Sequence, residues 1–137
     1  MRSLGIIGGG QLGMFICQAA KSLGIKTSIF SENQEFSAKK FCDQYFIGKF
    51  NDNEVLENFI NSADYFTIET ENIPYDILDK IASVKQIFPD PQIVKICQNR
   101  LKEKRFLNSL ENIRTAVYFE INSFKDLEKK ISLINNN

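Results

Sequence analysis

The 137-residue sequence predicts an α/β fold, a doubly wound parallel sheet followed by the start of a second domain. Three observations carry that expectation. A glycine turn joins an apolar strand to an amphipathic helix at Leu4-Gly5-Ile6-Ile7-Gly8-Gly9-Gly10-Gln11-Leu12-Gly13, short strands and helical patterns alternate as far as residue 88, and Pro89-Asp90-Pro91 then breaks the alternation.

Residues 2–7 read as a buried strand. The helix after the turn sets Leu12, Phe15, Ile16, Ala19, Ala20 and Leu23 at a 3.6-residue period, which predicts one core-facing stripe, and Gly24 closes it as a C′ residue. Further strands are predicted over 27–30, 44–47, 65–68 and 86–88. Asn51 or Asp52 can cap a helix carrying Val55, Leu56, Phe59 and Ile60, and Pro74 suits the first turn of a helix carrying Ile77, Leu78 and Ile81. Such alternation calls for right-handed crossovers and a sheet covered on both faces. The prolines set a domain edge, giving 1–91 as the first domain and 92–137 as linker helices and an incomplete second one. In the latter, one or two helices are expected over 92–110, a strand near 116–121 and a helix opened by Ser123 with Asp126 three residues on.

Composition narrows the function classes. Seventeen basic and seventeen acidic residues cancel, so no net field draws nucleic acid or an anionic membrane. No apolar run approaches membrane-spanning length and the N-terminus lacks a signal h-region, so the cytoplasm is the expected compartment. Cys17, Cys42 and Cys97 are odd in number and widely spaced, which fits reduced packing thiols. The absence of histidine removes the commonest general base and metal ligand.

Gly8, Gly10 and Gly13 satisfy GxGxxG, in which free N–H groups and the helix dipole favour an anion. The same turn also occurs where it serves packing alone. In the strand order 3-2-1-4 the loop after Ile68, Glu69-Thr70-Glu71-Asn72-Ile73-Pro74, lies beside it. Its carboxylates and amide suit ribose hydroxyls or an amine, although Glu71 and Asn72 could instead cap the following helix. Arg100 and Lys104 stand one helical turn apart, able to hold a polyphosphate or simply to form a solvated basic face. A dinucleotide-binding oxidoreductase domain is the competing reading, with Glu32 near the end of the second strand as its ribose ligand.

Together, IIGGGQLG at 6–13, IETENIP at 68–74, FPDP at 88–91, QNRLKEKRFL at 98–107 and SFKDL at 123–127 resemble the 5-(carboxyamino)imidazole ribonucleotide synthases, ATP-grasp enzymes of purine biosynthesis. The resemblance implies a Rossmann-like pre-ATP-grasp domain and the start of an ATP-grasp domain. It further implies ATP, magnesium and bicarbonate as reaction partners, carboxyphosphate as the activated intermediate, 5-aminoimidazole ribonucleotide as substrate, and a homodimer. Gly10, Gln11, Leu12, Glu71 and Asn72 would then contact the ribonucleotide, and Arg100 and Lys104 would contact ATP. The catalytic residues and metal ligands belong to a part of the family's chain not represented here, so these 137 residues are expected to be inactive alone. A non-catalytic interaction module is a further alternative, and Gln11 argues against a glycinamide-type ligase, whose members tend to carry glutamate there. Met14 stands where the family commonly has arginine, and Arg114 and Val117 replace its usual prolines.

Overall fold

A computed structural model describes residues 2–134; the closing Asn135-Asn136-Asn137 lie outside the described residues. The elements are β1 (Ser3–Ile7), α1 (Gln11–Ser22), β2 (Lys26–Ser31), a 3₁₀ turn (Ser37–Lys40), β3 (Gln44–Ile47), α2 (Asn53–Asn61), β4 (Tyr65–Ile68), α3 (Tyr75–Ala82), β5 (Gln86–Phe88), α4 (Pro91–Cys97), α5 (Arg100–Asn108) and α6 (Phe124–Ile134). They group into two compact units, Met1–Gln98 and Asn99–Asn137.

In the first unit five parallel strands run in the order β3-β2-β1-β4-β5, which makes β1 and β4 neighbours at the topological switch point. Ile7 lies opposite Phe30 on one side and Ile68 on the other, so the strands end level and their loops open on one rim. Alternation along the strands divides the core. Ile7, Phe30 and Phe66 join Leu56, Phe59, Leu78 and Ile81 of α2 and α3 on one face, while Ile6 and Ile29 join Cys17 of α1 and Ala38 of the 3₁₀ turn on the other.

Local sequence explains the helix ends. Asp52 accepts a hydrogen bond from the Val55 N–H at 3.2 Å, the expected cap of α2. Gly24 has φ +69°, and the Ile25 N–H to Ala20 and Gly24 N–H to Lys21 bonds complete a Schellman turn after α1. At the start of the sheet the Ser3 N–H and hydroxyl both donate to the Asp64 carboxylate, holding its pKa below the ordinary range and tying β1 to the approach of β4.

The buried face of α1 differs from expectation. Gly13, Cys17 and Ala20 face the sheet, whereas Leu12 is 60% exposed, Phe15 49% and Leu23 74%, and Ala19 is exposed as well. The cause is close approach: a Cβ built on Gly13 would stand 2.8 Å from the Gly8 carbonyl oxygen, so the helix docks by its smallest residues and turns its larger apolar ones aside. Periodicity finds a stripe but cannot weigh backbone proximity against side-chain size.

α4 packs on α3 within the first unit, with Pro91 and Val94 buried and Asp90 accepting from the Gln92 N–H. The compact division therefore falls after Gln98 rather than at the proline turn. In the second unit Asn99 caps α5 through the Lys102 N–H, and Ser123 Oγ accepts from the Asp126 N–H at the start of α6. The strand expected at 116–121 is not formed: among the described residues nothing pairs with it, and a strand exists only through its ladder.

The thiols are free and unequal. Burial raises the Cys17 pKa and pushes that of Cys42 up to about 11, whereas Cys97 is exposed. Since the thiolate is the nucleophile, brief alkylation of the native chain followed by mass spectrometry is expected to modify Cys97 alone. Cys17 and Cys42 should become reactive only after denaturation.

Candidate functional site

The rim at the carboxyl ends of β1, β2 and β4 carries the site. Gly8 leaves β1 with φ +109°, a left-handed conformation suited to glycine, while its N–H still donates to the Phe30 carbonyl at 2.9 Å. The chain then reverses through Gly9, whose carbonyl accepts from the Ala38 N–H at 3.0 Å, into Gly10 as the N-cap of α1.

The space within this turn is filled by the protein itself. Glu69, the residue after β4, donates its N–H to the Ile7 carbonyl at 3.0 Å and accepts the Gly10 N–H on its carboxylate. A Cβ built on Gly10 would stand 2.2 Å from Glu69 Oε1, one on Gly13 2.9 Å from Glu69 Oε2, and one on Gly8 3.0 Å from the Glu69 Cβ. All three motif glycines thus border one side chain. The anion that the turn and helix dipole favour is supplied within the chain.

Beside Glu69 opens a cavity of about 290 Å³, lined by Gly8–Gly10, Ser31, Glu32, Asn33, Thr70 and Asn72, with apolar walls from Ile7, Phe30, Phe50 and Ile73. Phe30 and Phe50 stack there with ring centroids 5.2 Å apart. Glu32 and Glu69 are the charged residues of this lining. Lys49 reaches Glu32 at 3.8 Å, and the Phe50 N–H donates to the same carboxylate oxygen at 3.4 Å.

The loop after β4 is held in place. The Gln98 side-chain amide donates to the carbonyls of Glu71 and Ile73, each at 2.7 Å, and buried Ile73 anchors the loop from below. Asn72 does not cap α3: its N–H and side-chain amide turn to the Thr70 hydroxyl, and Pro74 occupies the N-cap position. The Glu71 side chain is exposed and no cap either, which removes the capping alternative for both residues.

The residues singled out from the sequence are therefore distributed unevenly. Gly10 and Asn72 line the cavity; Gln11, Leu12 and Glu71 are exposed and outside its lining. Ser31 and Asn33 are lining residues that sequence reasoning passed over, and Glu69, read there only as one of the two loop carboxylates, was given no role of its own. The signal for Glu69 was present: Tyr65, Thr67 and Glu69 alternate along one face, so the carboxylate is aimed at the start of α1. In the second unit Arg100 and Lys104 line a separate cavity of about 560 Å³ with Tyr118, Phe119 and Glu120, and Arg100 is ion-paired with Glu103. Among the described residues no group of three or more Asp, Glu, His or Cys is arranged to hold a metal ion.

A parallel sheet with a glycine turn at its switch point, and a held acidic loop on the adjacent strand, define a Rossmann-like domain with a cavity at the rim. Residues 1–98 match the ribonucleotide synthetase preATP-grasp domain, and the chain belongs to that family. It is 36% identical over 132 residues to the bifunctional purine synthesis protein purC/E of Dictyostelium discoideum, covering 96% of this chain and 13% of that protein. With the N5-carboxyaminoimidazole ribonucleotide synthase of Brucella melitensis it shares 34% identity over 83% of this chain and 31% of the relative. The Staphylococcus aureus N5-carboxyaminoimidazole synthetase complexed with ADP superposes with a TM-score of 0.87 at 27% identity, over 96% of this chain and 35% of the other. The chain thus spans about a third of the length of the synthases it matches.

Proposed function

We propose that this chain is the N-terminal, ribonucleotide-binding part of an ATP-dependent carbon–nitrogen ligase of purine biosynthesis. The reaction is carboxylation of the exocyclic amine of 5-aminoimidazole ribonucleotide with bicarbonate, through carboxyphosphate, releasing ADP and phosphate. It would take place in the cytoplasm, in a homodimer. The observation that carries the reading is the cavity at the switch point, with the 69–74 loop held over it by Gln98.

In this reading Gly10, Gln11 and Leu12 border the ribonucleotide, with the Gln11 side-chain amide able to bond to it, while Glu71 and Asn72 accept from or donate to its hydroxyls or amine. Arg100 and Lys104 supply positive charge to ATP phosphates, beside the aromatic rings of Tyr118 and Phe119. Bicarbonate becomes an electrophile only once phosphorylated, and phosphoryl transfer is driven by positioning and charge neutralisation. Magnesium would supply part of that neutralisation, with ligands from outside the described residues. The isolated chain binds but does not turn over.

Titration with 5-aminoimidazole ribonucleotide, followed by amide chemical shifts, is expected to give saturable changes at Gly8–Gly10 and Thr70–Asn72. Glu71→Ala should weaken binding about tenfold, roughly 1.4 kcal/mol. ATP should instead perturb residues around Arg100 and Lys104, and Arg100→Ala should reduce that response. A folded chain indifferent to the ribonucleotide, or one that binds NAD through Glu32, would reject the reading.

A further inference from the structure

We propose that Glu69 is a specificity-determining residue: it occupies the anion seat of the glycine turn and so bars phosphate-bearing ligands from the position where a GxGxxG turn would otherwise receive them. In a dinucleotide-binding domain the second glycine lets the backbone approach a pyrophosphate, and the helix N-terminus faces that group. Here the corresponding Gly10 N–H donates to Glu69. The volume freed by the missing Cβ atoms of Gly8, Gly10 and Gly13 holds the Glu69 side chain.

Two features reinforce this. Glu69 is anchored by its backbone, whose N–H extends the β1–β4 pairing to the Ile7 carbonyl, and its carboxylate is held in the turn by the Gly10 N–H. The remaining cavity lining brings a second carboxylate, Glu32, and no lysine or arginine. An anion entering beside Gly10 would meet the Glu69 carboxylate at the turn, and the nearest cation the site records, Lys49, is paired with Glu32 at 3.8 Å. The group this turn admits is instead a hydrogen-bond donor, such as an amine or a sugar hydroxyl, which the carboxylate can accept. The glycine motif and its carboxylate thus act as one device, selecting against the ligands the motif would suggest by itself.

Inorganic pyrophosphate is the direct probe, because it presents the excluded group without any base or sugar and makes no demand on the ribonucleotide reading. Amide shifts of residues 8–13 would be followed in the native chain, in Glu69→Ala and in Glu69→Ser. The native chain should show no saturable response at these amides, while either folded variant should gain one, tighter by about tenfold or more, the factor equivalent to 1.4 kcal/mol. Pyrophosphate binding at residues 8–13 of the native chain would overturn the proposal, as would folded variants that gain nothing. Loss of folding in both variants would also overturn it, by making the carboxylate a requirement of the fold rather than a selector.

Discussion

Phe59→Ala is expected to destabilise the first unit by about 3–5 kcal/mol, the range for emptying a buried aromatic site. Phe59 is fully buried and is the hub of an aromatic cluster, with ring centroids 5.6 Å from Phe30, 5.8 Å from Phe46 and 5.2 Å from Phe66. Those three partners come from β2, β3 and β4, so one side chain of α2 couples three strands. Truncation removes edge-to-face contacts as well as buried area. Because the partners sit on paired strands, they cannot collapse far into the void. A domain this size has a total stability of about 5–15 kcal/mol, so the loss is a large part of it. Thermal unfolding by circular dichroism should show a fall of well over ten degrees, taking about 4–8 °C per kcal/mol. Phe124→Ala, at a site 74% exposed, is the control and should stay within about 0.5 kcal/mol. A similar small change for Phe59 would mean the cluster is not the centre of the core.

Gly10→Ala should cost about 1–3 kcal/mol, the penalty for losing a hydrogen bond to a charged partner and leaving it unpaired. The added methyl would stand 2.2 Å from Glu69 Oε1, and no backbone or other side-chain atom is among its three nearest neighbours. Backbone geometry is not the obstacle, because Gly10 has φ −74° and ψ −158°, extended values that alanine adopts freely. The cost therefore has two parts: displacement of the carboxylate, and the weaker N-capping preference of alanine. Only the first depends on Glu69. In a double-mutant cycle with Glu69→Ala, read by denaturant unfolding, the two substitutions should couple by about 1–2 kcal/mol. Additivity would mean that the glycine is required for some reason other than the carboxylate.

These two residues also show where sequence reasoning reached and where it stopped. The alternation of strand and helix, the parallel order and the position of the loop beside the glycine turn follow from apolar runs, glycine and proline signals and the right-handed crossover rule, all local or topological. The buried face of α1 did not follow. Its orientation is set by a tertiary approach between Gly13 and the Gly8 carbonyl, a distance that no periodicity encodes. At the site the family resemblance assigns Glu71 to the ribonucleotide, yet Glu69 is the carboxylate that enters the turn. The end of the strand separates them: Glu69 directly follows the ladder and continues the face of Tyr65 and Thr67, whereas Glu71 lies further out in the loop. Gln98 lay hidden for a different reason: its two bonds go to main-chain carbonyls, which carry no sequence signature. The 116–121 segment illustrates the converse, having strand-like composition without a partner among the described residues.

The strand order has a consequence for how the chain acquires its structure. β1 is the first strand to be synthesised and the central one of the finished sheet, flanked by β2 and β4. Its second edge stays open until residues 61 positions downstream arrive, the separation spanned by the Ser3–Asp64 bonds. During that interval the sequence Leu-Gly-Ile-Ile is an apolar strand with an unpaired edge, the kind of template on which chains associate wrongly. Formation of the glycine turn is bound to the same event, because Glu69 reaches Gly10 only once β4 is in register. The rim is thus completed only once β4 has joined the sheet, and a nascent chain halted before residue 69 would carry the motif without the pocket.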